Sequence, residues 1–312
     1  MIELPDAVRA MAARGPRWQT WVDGLAKLVR TQIGDWELTV DGAAMHGYCS
    51  IVVPVRDRDG ASAVLKLSFP DDETEHEHLA LRRWGGHGAV RLLRADPHHR
   101  ALLLERLSNR NLNELWDIQA CEIVAGLYRA LHVPALPQVR SLPRAVTRWT
   151  DGLAALPRSA PVPRRLVEQA ITLGTDLATD PSSSGVLIHG DLHYENVLAG
   201  PVGSDDGDDG DDTDGGPGSW VAIDPKPFDG DPHYELAPML WNRWDELTGY
   251  VREGVRRRFY AVVDAAGLDA DRARAWVIVR MMHNAMWELT ERSEPDAHWL
   301  TTCVAIAKAV QD

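Results

Sequence analysis

Residues 189–196 read His-Gly-Asp-Leu-His-Tyr-Glu-Asn and directly follow a short apolar segment, Val186-Leu187-Ile188. Further along the chain, a second apolar segment, Val221-Ala222-Ile223, ends in Asp224. The two together give the pattern H-x-D-x-x-x-x-N followed by a strand that ends in aspartate. A lone His-x-Asp is usually a surface turn, but the asparagine at this offset and the second strand with its aspartate favour a catalytic loop.

The residue types in this loop suit phosphoryl transfer. Asp191 would orient an acceptor hydroxyl and take its proton. Asn196 and Asp224 would hold Mg²⁺, a hard cation that prefers oxygen ligands and offsets the charge of the transferring group. His189 would pack under the loop and fix its backbone by hydrogen bonds. The sequence therefore predicts an enzyme that uses a nucleotide and magnesium.

The stretches HGDLHYENVL (189–198) and AIDPKPFDGDP (222–232) resemble the aminoglycoside phosphotransferase family, which shares the protein-kinase fold. VLKLSFPDDE (64–73) and RMMHNAMWEL (280–289) are similar to its streptomycin 6-kinase and hydroxyurea phosphotransferase branch. The resemblance extends from about residue 36 to about residue 288. It implies ATP or GTP as phosphoryl donor and a hydroxyl acceptor. Streptomycin is the first candidate acceptor, and hydroxyurea, a sugar or an amino sugar are alternatives.

The resemblance also implies a lysine on a strand that grips the nucleotide phosphates. Lys66 fits because it lies in the apolar segment Val64-Leu65-Lys66-Leu67, where a charge would hardly be buried without a partner. A helix carboxylate should pair with it. Glu73, Glu75 and Glu77 all compete for this place, and we favour Glu77.

Two further segments are candidates for nucleotide binding. Residues 41–47 contain Gly42 and Gly47, and small residues let the backbone approach a phosphate, although an ordinary hairpin loop has the same composition. Residues 101–107 match the family's hinge between lobes. There the resemblance implies that backbone groups from Glu105 to Leu107 bind the purine.

Acceptor-binding residues are expected in the C-terminal part of the chain. Glu195 lies inside the catalytic loop and could face the substrate or be merely exposed. His283, Asn284 and Glu288 share one face of a predicted helix, which could line a substrate pocket or belong to the packed core. The resemblance and the acidic composition favour a cationic acceptor.

Hydrophobic periodicity predicts an amphipathic first helix that ends at Gly34, strands over 36–40, 50–55 and 63–67, and helices over 112–132 and 234–246, with proline-rich stretches over 133–143 and 157–163. This order of elements indicates an α+β, bilobal, protein-kinase-like fold. Residues 1–107 are expected to form an N-lobe with a first helix, an antiparallel sheet and the nucleotide site. Residues 108–312 would form a mostly helical C-lobe with the catalytic loop, the metal site and the substrate pocket. Residues 203–219 contain only Asp, Gly, Thr, Pro and Ser. Because these residues offer no large apolar side chain to bury, the segment predicts a disordered acidic loop.

Composition excludes several classes of protein. The formal net charge is −13, so a nucleic-acid partner is not expected. The chain has no apolar run long enough to span a membrane, and its start lacks the apolar core of a signal peptide, so we expect a cytoplasmic protein. A hydrolase is disfavoured because no serine or cysteine lies in a nucleophile's setting. A nucleotide-binding pseudokinase remains an alternative, and the sequence does not specify an oligomeric state.

Overall fold

The computed structural model describes residues 3–200 and 220–311. These residues form two compact units, one of residues 3–109 with 199–200 and the other of residues 110–198 with 220–311. We propose that the two units are the lobes predicted from the sequence with a boundary after residue 107. The predicted disordered loop, 203–219, lies outside the described residues.

The first unit is built on an antiparallel sheet with strand order β1-β3-β4-β6-β5, and β2 pairs with β3. Two helices precede the sheet and one lies between β4 and β5. The elements are α1 (Asp6–Ala10), α2 (Pro16–Asp35), β1 (Thr39–Val40), β2 (Met45–His46), β3 (Ser50–Arg56), β4 (Ser62–Ser68), α3 (Glu77–Trp84), β5 (Leu92–Asp96) and β6 (Ala101–Glu105).

Along β3, fully buried side chains alternate with less buried ones, and this pattern explains how the unit forms its core. Ile51, Val53 and Val55 are buried on one face of the strand, because successive side chains of a strand point to opposite faces. That face packs in one cluster with Leu25 and Val29, which recur at helical spacing on α2. The sheet is therefore covered by the amphipathic helix that the sequence predicted.

The second unit is mostly helical and contains small sheets around the motif of residues 189–196. Four strands pair in the order β7-β9-β12-β8, and β10 pairs with β11. The elements are α4 (Asp117–Leu131), β7 (Val133–Pro134), β8 (Arg140–Ser141), α5 (Leu142–Ala155), α6 (Arg164–Thr179), β9 (Val186–Ile188), β10 (Val197–Ala199), β11 (Trp220–Ala222), β12 (Phe228–Gly230), α7 (Pro238–Trp241), α8 (Val251–Ala266), α9 (Ala270–Glu291) and α10 (Ala297–Ala309).

Helix α9 supports the chemistry-bearing strands of this unit. Its buried residues Trp276 and Val279 pack in one cluster with Ile188 at the end of β9 and Phe228 at the start of β12. The helix begins with Asp269, whose side chain accepts a hydrogen bond from the backbone N–H of Arg272 and so satisfies one of the unpaired donors of the first turn.

Some predicted elements were wrong. No helix was predicted between the two proline-rich stretches, but α5 begins at the end of the first one, because proline is tolerated in the first turn of a helix. The strand predicted over 36–40 is shorter, since α2 runs to Asp35. The helix predicted over 234–246 is broken into the short α7 and two 3₁₀ turns. Within the described residues, none of the helices is long and apolar enough to cross a membrane.

Candidate active site

His189 anchors the catalytic loop just after β9. The side chain is fully buried, its Nε2 donates to the carbonyl oxygen of Ile223 (2.9 Å), and its Nδ1 accepts from the backbone N–H of Asp191 (3.3 Å). These two bonds require the Nε2–H tautomer of a neutral ring. Burial lowers the pKa of His189, against the opposing effect of Glu235 and Asp191, which keeps the ring neutral.

Asp191 presents its carboxylate beside a lysine. Its Oδ2 lies 2.9 Å from Nζ of Lys226, and its side chain is 16% exposed. Burial alone would raise the pKa of Asp191, but the nearby Lys226 ammonium, with smaller effects of His193 and Arg280, brings that pKa below its ordinary value. The carboxylate is therefore ionised at neutral pH and can accept a proton or a hydrogen bond.

Asn196 and Asp224 lie next to each other because β10 pairs with β11. Asn196 immediately precedes β10, and its backbone carbonyl accepts a hydrogen bond from the N–H of Ile223 (2.9 Å), the residue before Asp224. The side-chain nitrogen of Asn196 donates to the carbonyl oxygen of Asp191 (2.8 Å), so its amide oxygen points to the other side of the group. The backbone bond between Ile223 and Asn196 thus brings Asp224, the next residue, to the same end of the strand pair as Asn196.

This donor set fits Mg²⁺, which commonly takes one or two protein oxygens and completes its shell with water and substrate phosphates. In the described part of the chain no cluster of three or more His, Cys, Asp or Glu side chains could hold a metal ion. Asp224 has φ of +58°, a left-handed conformation that is sparsely populated outside glycine and typical of functional positions.

Two buried charged residues that the sequence analysis missed hold Gly190, the residue before Asp191. Glu235 is fully buried, and its Oε1 accepts a hydrogen bond from the N–H of Gly190 (2.6 Å). Arg280 on α9 donates from Nη2 to the carbonyl oxygen of Gly190 (2.7 Å). His132 bonds the second oxygen of Glu235 (2.7 Å). No local sequence signal identifies these residues, since they contact Gly190 from 45 and 90 positions away.

In the first unit, Lys66 pairs with Glu77. Nζ lies 2.6 Å from Oε1 of Glu77, and the two side chains are 6% and 3% exposed. Lys66 is on the central strand β4, between β3 and β6, and Glu77 begins α3. Of the three glutamates considered, Glu77 is thus the one that pairs with Lys66, while Glu75 lies 3.8 Å from Arg100.

The candidate phosphate loop joins β1 to β3. Gly47 donates its N–H to the carbonyl oxygen of Ser50 (3.0 Å), and a Cβ atom at position 47 would lie 2.6 Å from Oγ of Ser50. A side chain at position 47 would therefore have to displace the Ser50 hydroxyl from its present position. Gly42 has φ of +153° in the same loop. Of the two hinge residues, Glu105 ends β6 and donates its N–H to Arg91, and Leu107 follows half-buried.

The four candidate acceptor residues differ in accessibility. Glu195 is exposed and Asn284 is half-buried. His283 is fully buried, its Nε2 lies 3.4 Å from the Thr150 hydroxyl, and burial lowers its pKa to about 3. Glu288 is 6% exposed and accepts hydrogen bonds from the N–H of Asp296 (2.7 Å). Burial and internal partners of the last two favour the packing role that the sequence left open.

The family described as aminoglycoside/hydroxyurea antibiotic resistance kinase matches residues 35–291. The chain belongs to this family. It is similar to a streptomycin 6-kinase of Streptomyces glaucescens, with 37% identity over 311 residues that cover 94% of this chain and 93% of the relative. A hydroxyurea phosphotransferase of Kitasatospora aureofaciens is 36% identical over 300 residues, covering 93% of this chain and 82% of the relative.

A solved choline kinase from Streptococcus pneumoniae shares the fold, with a TM-score of 0.57 at 13% identity, covering 92% of this chain and 98% of that one. The predicted α+β, bilobal, protein-kinase-like fold is thereby confirmed. The predicted enzyme class is confirmed as well, because the family and its relatives are kinases. This kinase family implies use of a nucleotide, a divalent metal ion and a small-molecule acceptor.

Proposed function

We propose that this kinase transfers the γ-phosphoryl group of ATP, with Mg²⁺, to a hydroxyl group of streptomycin. The observation that carries the proposal is the loop in which Asn196 bonds the backbone carbonyl of Asp191, Asp191 keeps an ionised carboxylate, and Ile223, the neighbour of Asp224, bonds the backbone of Asn196. Identity of 37% with a streptomycin 6-kinase over nearly the whole chain supports the choice of acceptor.

In this proposal the second unit performs the chemistry. Asp191 orients the acceptor hydroxyl and takes its proton as the bond to phosphorus forms. Asn196 and Asp224 would hold Mg²⁺, which supplies positive charge to the phosphate oxygens. His189 keeps the backbone of Asp191 in place through its bonds to Ile223 and to Asp191 itself.

The first unit would bind the nucleotide. Lys66 grips the phosphates and is oriented by Glu77, whose buried carboxylate fixes the ammonium at 2.6 Å. Backbone groups of the loop with Gly42 and Gly47 would approach the phosphates, and backbone groups between Glu105 and Leu107 would bind the purine. GTP in place of ATP is the alternative donor.

For the acceptor we propose direct contacts from Glu195 and Asn284, the two candidates with accessible side chains. Streptomycin carries two guanidinium groups, and a carboxylate such as that of Glu195 can accept two parallel hydrogen bonds from a guanidinium. His283 and Glu288 would act through packing, because both side chains are buried, with Nε2 of His283 near the Thr150 hydroxyl and Oε1 of Glu288 bonded to the N–H of Asp296.

Hydroxyurea is the second candidate acceptor. The hydroxyurea phosphotransferase of Kitasatospora aureofaciens is 36% identical to this chain, nearly the same identity as the streptomycin kinase. Hydroxyurea is small and neutral, so it would use the same catalytic loop without a carboxylate contact. Replacing Glu195 should therefore weaken the turnover of streptomycin but not that of hydroxyurea.

The test compares kcat/KM for streptomycin, other aminoglycosides, hydroxyurea and simple amino sugars in one ADP-release assay, with ATP and then GTP. We expect streptomycin with ATP to give the highest value. Asp191→Asn serves as the control for chemistry, and it should lower kcat by about 10²–10⁴ while nucleotide binding, measured by calorimetry, survives. Turnover of hydroxyurea but not of streptomycin would reject the streptomycin assignment.

A further inference from the structure

Lys226 lies two residues after Asp224 and reaches back to the catalytic loop. Its Nζ is 2.9 Å from Oδ2 of Asp191, and the two side chains are 25% and 16% exposed. Neither side chain is therefore completely buried while the two contact each other. An ion pair with this geometry places a positive charge next to the atom that would receive the proton of the acceptor.

The backbone around Lys226 is fixed against the loop. Its N–H donates to the carbonyl oxygen of His189 (2.9 Å). On the other side, a Cβ atom at Gly190 would lie 2.3 Å from the carbonyl oxygen of Lys226, so only glycine allows this approach. Two residues later, Phe228 pairs with Ile188, which leads into the loop. The position of the ammonium thus follows from tight contacts of its own main chain.

A second cation near the loop is already engaged. Arg280 is 7% exposed and donates to the carbonyl oxygens of Tyr234 (3.1 Å) and Gly190 (2.7 Å). Its guanidinium serves the backbone of the loop. Lys226 is engaged too, with the carboxylate of Asp191, but its side chain is a quarter exposed, and its flexible four-carbon stem allows the ammonium to contact a bound anion while it stays within reach of Asp191.

We propose that Lys226 is a catalytic residue, whose ammonium binds a non-bridging oxygen of the phosphoryl group as it passes to the acceptor hydroxyl held by Asp191. The proposal rests on the proposed function of Asp191. A hydroxyl that donates to Asp191 lies about 2.5–3.0 Å from its carboxylate, and its oxygen approaches phosphorus at about 3–3.5 Å. One ammonium beside Asp191 can therefore contact the oxygens of that phosphorus.

In the step, the bond from the acceptor oxygen to the γ-phosphorus forms as the bond from phosphorus to the bridging oxygen of the nucleotide breaks. The hydroxyl proton passes to Asp191, and the nucleoside diphosphate leaves with the electron pair of the broken bond. Negative charge spreads over the non-bridging oxygens in the transition state, where a fixed cation stabilises it more than in the ground state. No covalent bond to Lys226 forms or breaks in this step.

The first test compares Lys226→Met, Lys226→Arg and the control Lys308→Met, which alters an exposed lysine at the end of α10. For Lys226→Met we expect kcat to fall about 10²–10³-fold, the loss typical of one transition-state donor, with nucleotide Kd unchanged within a few-fold. Lys226→Arg should recover part of kcat, and Lys308→Met should behave as wild type. If Lys226→Met keeps kcat within threefold of wild type, the proposal is wrong.

The second test separates a charge at the phosphoryl group from a structural role. In Lys226→Cys, alkylation with 2-bromoethylamine rebuilds a side chain with an ammonium of nearly the original length. Cys49, Cys121 and Cys303 are all buried, so the introduced cysteine should react selectively. We expect alkylation to restore at least a tenth of wild-type kcat. A folded variant that stays inactive after complete alkylation would assign Lys226 to structure only.

Failure of the proposed function gives a different result from failure of this proposal. If wild-type protein turns over none of the acceptors in the panel, the assignment of the reaction fails before any variant is measured. If wild type is active and Asp191→Asn is not, the reaction stands, and the Lys226 variants alone decide the role of the lysine.

Discussion

Glu235 is a buried carboxylate that holds one atom of the catalytic loop. Oε1 accepts from the N–H of Gly190 (2.6 Å), and Oε2 bonds Nε2 of His132 (2.7 Å). Burial by itself would raise the pKa of Glu235, but the hydrogen bond to His132 and the bond from the Gly190 N–H lower the net pKa below its ordinary value of 4.5. The ionised form is therefore the form that stabilises the fold.

At this scale we predict that Glu235→Gln lowers the free energy of unfolding by about 1–3 kcal/mol at pH 7, because a buried charged hydrogen bond is lost. A group whose pKa is lowered on folding stabilises above its unfolded pKa, and that stability is lost as pH falls through the folded pKa. The difference between wild type and variant should therefore shrink below about pH 4.5.

Urea unfolding of both proteins at several pH values measures this difference. The matched control is Glu168→Gln, which changes a carboxylate that is 63% exposed and should shift stability by less than about 0.5 kcal/mol. A difference for Glu235→Gln that stays constant from pH 7 to below the ordinary pKa of 4.5 would contradict the role of the ionised carboxylate.

Residues of the site differ in how far the sequence could predict them. Asp191, Asn196 and Asp224 lie in a local motif whose spacing reflects the chemistry, and the pattern identified them as candidates. Glu235 and Arg280 could not be found in this way, because each acts through a contact with Gly190 that only the folded chain creates.

At the scale of elements, the approach of β12 to the catalytic loop depends on glycine at position 190. Gly190 has φ of +82°, and its missing side chain leaves room for the carbonyl oxygen of Lys226. Gly185, just before β9, has φ of +100° with nothing within 4 Å of the Cβ position. Both glycines thus have a positive φ, but only at Gly190 would a side chain collide with neighbouring atoms.

We predict that Gly190→Ala is more harmful than Gly185→Ala. Both substitutions place alanine at positive φ, which costs about 1–3 kcal/mol. Only alanine at 190 also collides with a main-chain oxygen, so the loop must move, and kcat should fall at least tenfold. Thermal unfolding and turnover of the two variants provide the comparison. Equal stability and equal kcat in both variants would show that the close approach is not needed.

Elements near prolines and glycines were the hardest to predict. Helix α5 was missed because Pro143 suggested a loop, although proline in a first turn is compatible with a helix. Strand β12 was missed because Asp229-Gly230-Asp231-Pro232 has the composition of a turn. In contrast, α2, β3 and β4 were predicted within a few residues, since hydrophobic periodicity over many residues decides them.

At the scale of the whole molecule, seven aspartates between positions 205 and 214 carry about half of the net charge of −13. Removing these seven leaves −6. We predict that deleting residues 203–219 and closing with a short turn preserves kcat within a few-fold, because the stretch offers no apolar side chain for packing. Shortening a loop also changes its closure entropy little, by about 0.6 kcal/mol per halving. A folded deletion variant without activity would contradict this expectation.

The charge of the molecule also predicts how salt affects the acceptor. An acidic protein attracts a cationic acceptor at long range, and at physiological ionic strength this attraction is screened beyond about 8 Å. For streptomycin we therefore expect KM to rise moderately, about two- to fivefold, between low and physiological salt, with kcat nearly constant. The rise should be smaller in the deletion variant, whose net charge is closer to zero.

Hydroxyurea, which is neutral, serves as the matched control, since its KM should not depend on salt. Steady-state kinetics for both acceptors and both proteins test the idea, and a KM for streptomycin that is independent of salt would show that the acidic surface plays no part in binding the acceptor.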